Sequence, residues 1–212
     1  ISANWNTVNK RLFANNAWPV VEALDVPDDA YDDGAIGAHA VKSLTKLAKK
    51  KKPFFLAVGF KKPHLPFVAP KQYWDQFDPK NIHLASYQEA PIGAPRYAQH
   101  NSSELRSYNG IPASGPLDPS TQRILIHGYH ACVAYIDAQI GKILDQLEQD
   151  DLAENTIIVL WGDHGWHLGD HGLWCKHTNY EQATRVPLII ANPSAQAQKT
   201  EMPAELTDLF PT

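Results

Sequence analysis

Two short stretches of this sequence concentrate the side chains able to do chemistry. Residues 162–177 run Gly162-Asp163-His164-Gly165-Trp166-His167-Leu168-Gly169-Asp170-His171-Gly172-Leu173-Trp174-Cys175-Lys176-His177, and residues 61–67 run Lys61-Lys62-Pro63-His64-Leu65-Pro66-Phe67. Closely spaced carboxylates and imidazoles are donors for divalent metals, and interleaved glycines let a backbone turn sharply against a ligand. Asp163 and His164 stand nearest the end of the preceding apolar run and are the expected metal ligands. His164, His167 and His171, at steps of three and four, could instead offer one helical face to zinc. Glycines at 165, 169 and 172 disfavour a helix there, which leaves His167 and His171 as secondary candidates. The plain alternative is a turn with satisfied surface histidines.

The elements that must carry these groups can be read from periodicity. The β-branched run Thr156-Ile157-Ile158-Val159-Leu160-Trp161 predicts a fully buried strand ending at Gly162, and the apolar run Phe54 to Phe60 predicts a second buried strand leading into the His64 loop. Ligands of open α/β sheets sit beyond the carboxyl ends of strands, where both polar stretches fall. Ile36, Val41, Leu44, Leu47 and Ala48 predict an amphipathic helix over 35–49, with Lys49 to Lys52 as its solvated C-terminal cap rather than a nucleic-acid patch. Leu125, Cys132, Val133, Ile136, Ile140, Ile143, Leu144 and Leu147 predict the longest helix, over 122–149, with Cys132 a small buried hydrophobe.

A short strand is expected over 186–190 and a short helix over 71–77, within a Pro/Gly/Ser/Asn-rich excursion (68–122) of the kind that forms walls or lids. Residues 1–34 read as irregular, with Trp5, Trp18 and an acidic turn from Asp25 to Gly34. That turn is no calcium loop, because Tyr31 occupies a ligand position and Ala40 the place of the closing Glu; it reads as a helix entry.

Composition narrows the function classes. The 212 residues carry 19 Lys+Arg against 23 Asp+Glu, a formal charge of −4, which disfavours a general nucleic-acid binder. At 43% hydrophobic and 20% charged the composition is globular. No apolar run approaches the roughly 18 residues of a membrane span, and no signal peptide is evident. Cys132 and Cys175 make neither a disulfide framework nor a C-x-x-C pair. A chain that starts at Ile1 and stops inside the apolar stretch Asp208-Leu209-Phe210-Pro211-Thr212 is expected to be a fragment.

The strings GDHGWHLGDHGLWCKHTNYEQATRVPLII (Gly162 to Ile190) and FFLAVGFKKPHLPFVAPKQYW (Phe54 to Trp74), with the helix YHACVAYIDAQIGKILDQLE and the closing ELTDLFPT, resemble the type I sulfatases of the alkaline phosphatase superfamily, above all the iduronate-2-sulfatase branch and its bacterial relatives. The resemblance covers most of the chain after about Asp25. It implies an α/β, alkaline-phosphatase-like sandwich with a central mixed sheet and helices on both faces, of which residues 1–212 would be the C-terminal half of the large catalytic domain. It also implies Asp163 and His164 as ligands of a single Ca2+ ion, His64 and Lys176 as the groups that hold the sulfate and serve the leaving oxygen, and Trp166 and His177 as sugar-pocket residues. Lys62 is a further substrate-binding candidate. The implied substrate is a sulfated oligosaccharide or polysaccharide, and the implied location is periplasmic, secreted or lysosome-like.

Family members carry a formylglycine made within a C/S-x-P-x-R motif. Here Cys132 leads to Val133-Ala134, Cys175 to Lys176-His177, and Ser114-Gly115-Pro116-Leu117-Asp118 ends in Asp. The nucleophile is therefore expected in a missing N-terminal part of the enzyme. His177 stands where the iduronate enzyme has an aromatic hydroxyl. The rival readings are a phosphodiesterase or phosphonate monoester hydrolase of the same superfamily, with two transition metals, and a non-catalytic relative that binds sulfated glycans.

Overall fold

A computed structural model describes residues 19–210; the expectations for Trp5, Trp18 and the final Pro211-Thr212 lie outside the described residues. Strand β1 (Val21–Leu24) leads through a short turn into helix α1 (Asp32–Ala48), and the chain returns as strand β2 (Phe67–Pro70), parallel to β1 with Val21 opposite Phe67. A crossover helix is the usual way to join parallel strands, and this one sets the loop before β2 against the start of α1. Helix α1 begins three residues earlier than its apolar periodicity suggests, because Asp32 and Asp33 fill its first turn, where carboxylates suit the dipole.

The acidic turn before α1 is occupied by protein donors. Asp28 accepts hydrogen bonds from the Tyr73 hydroxyl at 2.8 Å and the Gln139 amide at 2.9 Å, and pairs with Lys142 at 2.5 Å. Burial pushes its carboxyl up, but Lys142 and the hydrogen bonds outweigh that and hold it below the ordinary carboxylate range.

After helix α2 (Lys71–Trp74), which stops three residues short of the expected 71–77, the excursion contains helix α3 (Ser103–Arg106). Helix α4 (Pro119–Gln149) follows, with Asp118 as its N-cap, accepting from the Ser120 and Thr121 amides, and Pro119 in the first turn. Leu125, Ala131, Cys132 and Tyr135 on its inner face are fully buried against β2. A Cβ at Gly128 would come within 2.8 Å of Phe67 and Trp74, so this glycine permits the close approach of helix and strand.

Strand β3 (Ile158–Trp161), the ribbon β4 (His167–Leu168) and β5 (Trp174–Cys175), helix α5 (Glu181–Thr184) and strand β6 (Leu188–Ala191) complete the order. Strand β6 pairs antiparallel with β3, and β5 antiparallel with β4.

The α/β class stands, but two expectations need correcting. In place of one central sheet, the described residues form three separate strand pairs. Residues 53–61 form no strand, although the half-buried Phe54, Leu56, Val58 and Phe60 alternate with the exposed Phe55, Ala57 and Gly59 at strand period. The pattern is that of a strand, but among the described residues no partner supplies a ladder. Strand β3, although paired with β6, is not fully buried: Val159, Leu160 and Trp161 are 40%, 37% and 49% exposed.

Candidate active site

The His64 loop is fixed from two sides. Asp33, on the first turn of α1 and 2% exposed, accepts the backbone amides of Lys61 at 2.8 Å and Lys62 at 3.0 Å. The Lys62 ammonium turns inward and donates to the carbonyls of His64 at 2.9 Å and Pro66 at 2.8 Å. Burial lowers its pKa. Lys62, expected to meet substrate, thus braces the loop that presents His64. The His64 Nδ1 lies 2.8 Å from the Leu65 carbonyl, which accepts its hydrogen bond, so Nε2 is the nitrogen left to Lys176 and Glu104.

Asp163 and His164 follow the tip of β3 after Gly162. The His164 amide donates to Asp163 Oδ1 at 3.0 Å, and Asp163 Oδ2 lies 3.7 Å from His164 Nε2. His164 Nδ1 is 2.9 Å from the Gly165 carbonyl, so the proton of a neutral ring sits there and the Nε2 lone pair faces the carboxylate. Two adjacent electron-pair donors, the Asp163 side chain 84% exposed, fit part of a cation shell. No cluster of three or more His, Cys, Asp or Glu able to hold a metal exists among the described residues, so this chain offers two donors rather than a complete shell. Gly165 permits the turn: its amide donates to the Ala183 carbonyl at 2.7 Å, packing the strand tip on α5.

The β4–β5 ribbon carries Lys176. His167 is fully buried, with Nδ1 2.5 Å from Asp170 Oδ2 and Nε2 2.7 Å from the Thr178 hydroxyl. With both ring nitrogens engaged it braces the loop, and no zinc-binding face of His164, His167 and His171 forms. Burial raises the Asp170 carboxyl, but His167 outweighs this and lowers it. Cys175, in the left-handed region at φ 71°, has its thiol pushed up to about 12 by burial, and burial likewise takes Cys132 to about 12. Neither thiol is a nucleophile at neutral pH.

The Lys176 ammonium lies 4.9 Å from the Trp166 ring centre and within hydrogen-bond contact of His64 Nε2. The Trp166 ring also lies 5.2 Å from His64 and 6.1 Å from His164, so one indole joins the strand tip to the two basic groups. A groove of about 860 Å3 is lined by Asp163, His164, Trp166, His64 and Lys62, and Lys176 touches two of these lining residues, His64 and Trp166.

Glu104 was not foreseen. From α3 its Oε1 lies 3.0 Å from Lys176 Nζ and 2.9 Å from His64 Nε2, and its Oε2 lies 3.1 Å from His177 Nε2. Burial raises its pKa, but Lys176 and the two histidines prevail and the carboxyl stays below its ordinary range. Nothing in the aperiodic excursion around it marks this glutamate out.

Iduronate 2-sulfatase of Homo sapiens is 38% identical over 206 residues, covering 94% of this chain and 37% of that protein. A sulfatase of Formosa agariphila is 36% identical over 177 residues, covering 76% of this chain and 32% of the relative. The chain therefore spans about a third of the length of either. A phosphonate monoester hydrolase of Silicibacter pomeroyi shares the fold, with a TM-score of 0.68 at 24% identity, over 92% of this chain and 42% of that one. The sulfatase family model matches residues 3–212. On that match and these identities, the chain belongs to the sulfatase family.

Proposed function

We propose that this chain is the C-terminal half of the catalytic domain of a sulfuric ester hydrolase acting on a sulfated oligosaccharide or polysaccharide, with an iduronate-2-sulfatase-like activity. The observation that carries the reading is His64, which lines one groove together with Asp163 and His164 and is in hydrogen-bond contact with Lys176. A cation beside a tetrahedral anion gathers the charge that develops on its oxygens. His64 lines the groove and its Nε2 is in contact with the Lys176 ammonium, so this pair would deliver a proton to a departing alkoxide. Trp166 and His177 offer a stacking face and a hydrogen-bonding edge to a sugar ring.

Asp163 and His164 would hold a single Ca2+ together with ligands from outside this chain. When bound, the ion supplies positive charge to the sulfate oxygens, while a formylglycine in the remaining N-terminal part supplies the nucleophile. That remaining part is also the proposed partner of the open apolar surface. Phe55 is 92% exposed, Trp161 49%, Ile189 57% and Ile190 55%, in segments that have strand pattern but free edges. No helix among the described residues is long and apolar enough to cross a membrane. The substrate class points to a periplasmic, secreted or lysosome-like location.

The test is turnover by the complete protein of an aryl sulfate and a uronate-2-sulfate disaccharide. Release of inorganic sulfate from both is the expected result. Hydrolysis of phosphonate monoesters or phosphodiesters without sulfate release would replace the reading with the phosphoryl-transfer alternative. Binding of sulfated glycan with no turnover of any ester would favour the non-catalytic one.

A further inference from the structure

Glu104 stands out because it is a carboxylate placed against the cation that would hold an anion. It is not a swinging surface side chain. Leu105 beside it is 1% exposed, and the Arg106 guanidinium donates to the carbonyls of Asn101 at 2.7 Å and of Pro112 and Gly115 at 2.6 Å. The buried Ser102 hydroxyl accepts the Trp174 amide at 3.1 Å, tying the segment to the ribbon that carries Lys176. The carboxylate is therefore held where it touches Lys176, His64 and His177 together.

An anchor for Lys176 needs only an oxygen, which an amide or a carbonyl would provide. A carboxylate adds a full negative charge close to any anion that Lys176 contacts. The resulting repulsion grows with the charge of the ligand. Sulfate and phosphate monoesters are both tetrahedral with terminal oxygens as acceptors. They differ in charge, because a sulfate monoester stays a monoanion while a phosphate monoester, with a second pKa near 6, is close to a dianion above neutral pH. We propose that Glu104 is a specificity-determining residue, whose fixed charge beside Lys176 sets the pocket against dianionic phosphate monoesters and in favour of monoanionic esters. This rests on the sulfatase reading for its substrate class and extends it with a source of discrimination by repulsion.

The test uses the complete enzyme and its Glu104→Gln and Glu104→Asp variants at about pH 8. Binding of an aryl sulfate and of the corresponding aryl phosphate is measured by calorimetry, and turnover by kcat/KM. Glu104→Gln keeps an oxygen for Lys176 and removes the charge, and should shift the phosphate-to-sulfate affinity ratio at least tenfold toward phosphate. Glu104→Asp should keep the wild-type ratio. A ratio that stays within twofold in Glu104→Gln, whether both affinities fall or hold, would reduce Glu104 to an anchor of Lys176. Should that variant lose its fold, the wild-type protein still decides: an aryl methyl phosphate, a monoanion, should bind at least tenfold more tightly than the dianionic aryl phosphate, and equal binding would overturn the proposal. Because binding is read separately from turnover, a wild-type enzyme that fails to hydrolyse aryl sulfate counts against the sulfatase reading alone.

Discussion

Replacing Lys176 with alanine in the complete enzyme is expected to lower kcat/KM for a sulfate ester by about 10²–10³-fold, the cost of removing one preorganised charge partner of a developing oxyanion. The effect should fall mainly on kcat, since the group is needed most where charge accumulates. The ammonium touches the Trp166 face, His64 Nε2 and Glu104 Oε1, so its loss also leaves Glu104 against His64 without the cation that balanced it. The site would change from one that attracts sulfate to one that repels it. The double variant Lys176→Ala with Glu104→Gln should therefore recover part of the loss, a non-additivity expected of groups in direct contact. Steady-state kinetics on the four proteins of this cycle, with circular dichroism to confirm folding, check the claim; a Lys176→Ala enzyme within threefold of wild type would remove Lys176 from the chemistry.

The second large effect is expected at Gly165. A Cβ there would lie 2.0 Å from the Gln182 carbonyl oxygen and 2.9 Å from its carbon, both backbone atoms that cannot rotate away. Relief requires moving α5 or the turn itself, and the turn is the connection between His164 and Trp166. Gly165→Ala should destabilise the protein by about 3 kcal/mol, at the upper end for overpacking, and should weaken divalent-ion binding by displacing His164. Gly141→Ala is the control. It lies within α4, nothing lies within 4 Å of its Cβ position, and it should gain about 0.5–1 kcal/mol from reduced backbone entropy. Denaturant unfolding of both variants separates a steric requirement at Gly165 from a general intolerance of substitution. Equal stability of the two would show that the turn can yield.

Much of this was legible in the sequence, for reasons particular to each element. Helix α4 is visible because its stripe repeats over about six turns, and its start three residues before the expected 122 is explained by the Asp118-Pro119 cap. Asp163, His164 and His64 stand out in the sequence because they follow apolar runs, and the structure brings the three to one groove. The runs themselves misled about burial. Phe54 to Phe60 and Ile157 to Trp161 read as strands covered on both sides, whereas among the described residues the first forms no strand and Val159, Leu160 and Trp161 of the second are well exposed. Glu104 is not marked in the sequence because its contact with Lys176 spans 72 residues of chain. The brace formed by His167, Asp170 and Thr178 was hidden for a similar reason, since spacing does not tell a metal ligand from a buried histidine whose two nitrogens are already engaged.

The central claim is that Asp163 and His164 hold one divalent ion beside Lys176 and His64. Metal content of the dialysed complete protein, measured by mass spectrometry for the wild type and for Asp163→Ala, tests it most directly. The account predicts one calcium per wild-type chain and a large loss in the variant, with sulfate-ester hydrolysis falling in parallel. Two zinc or manganese ions per chain, or a calcium content that Asp163→Ala leaves unchanged, would contradict it.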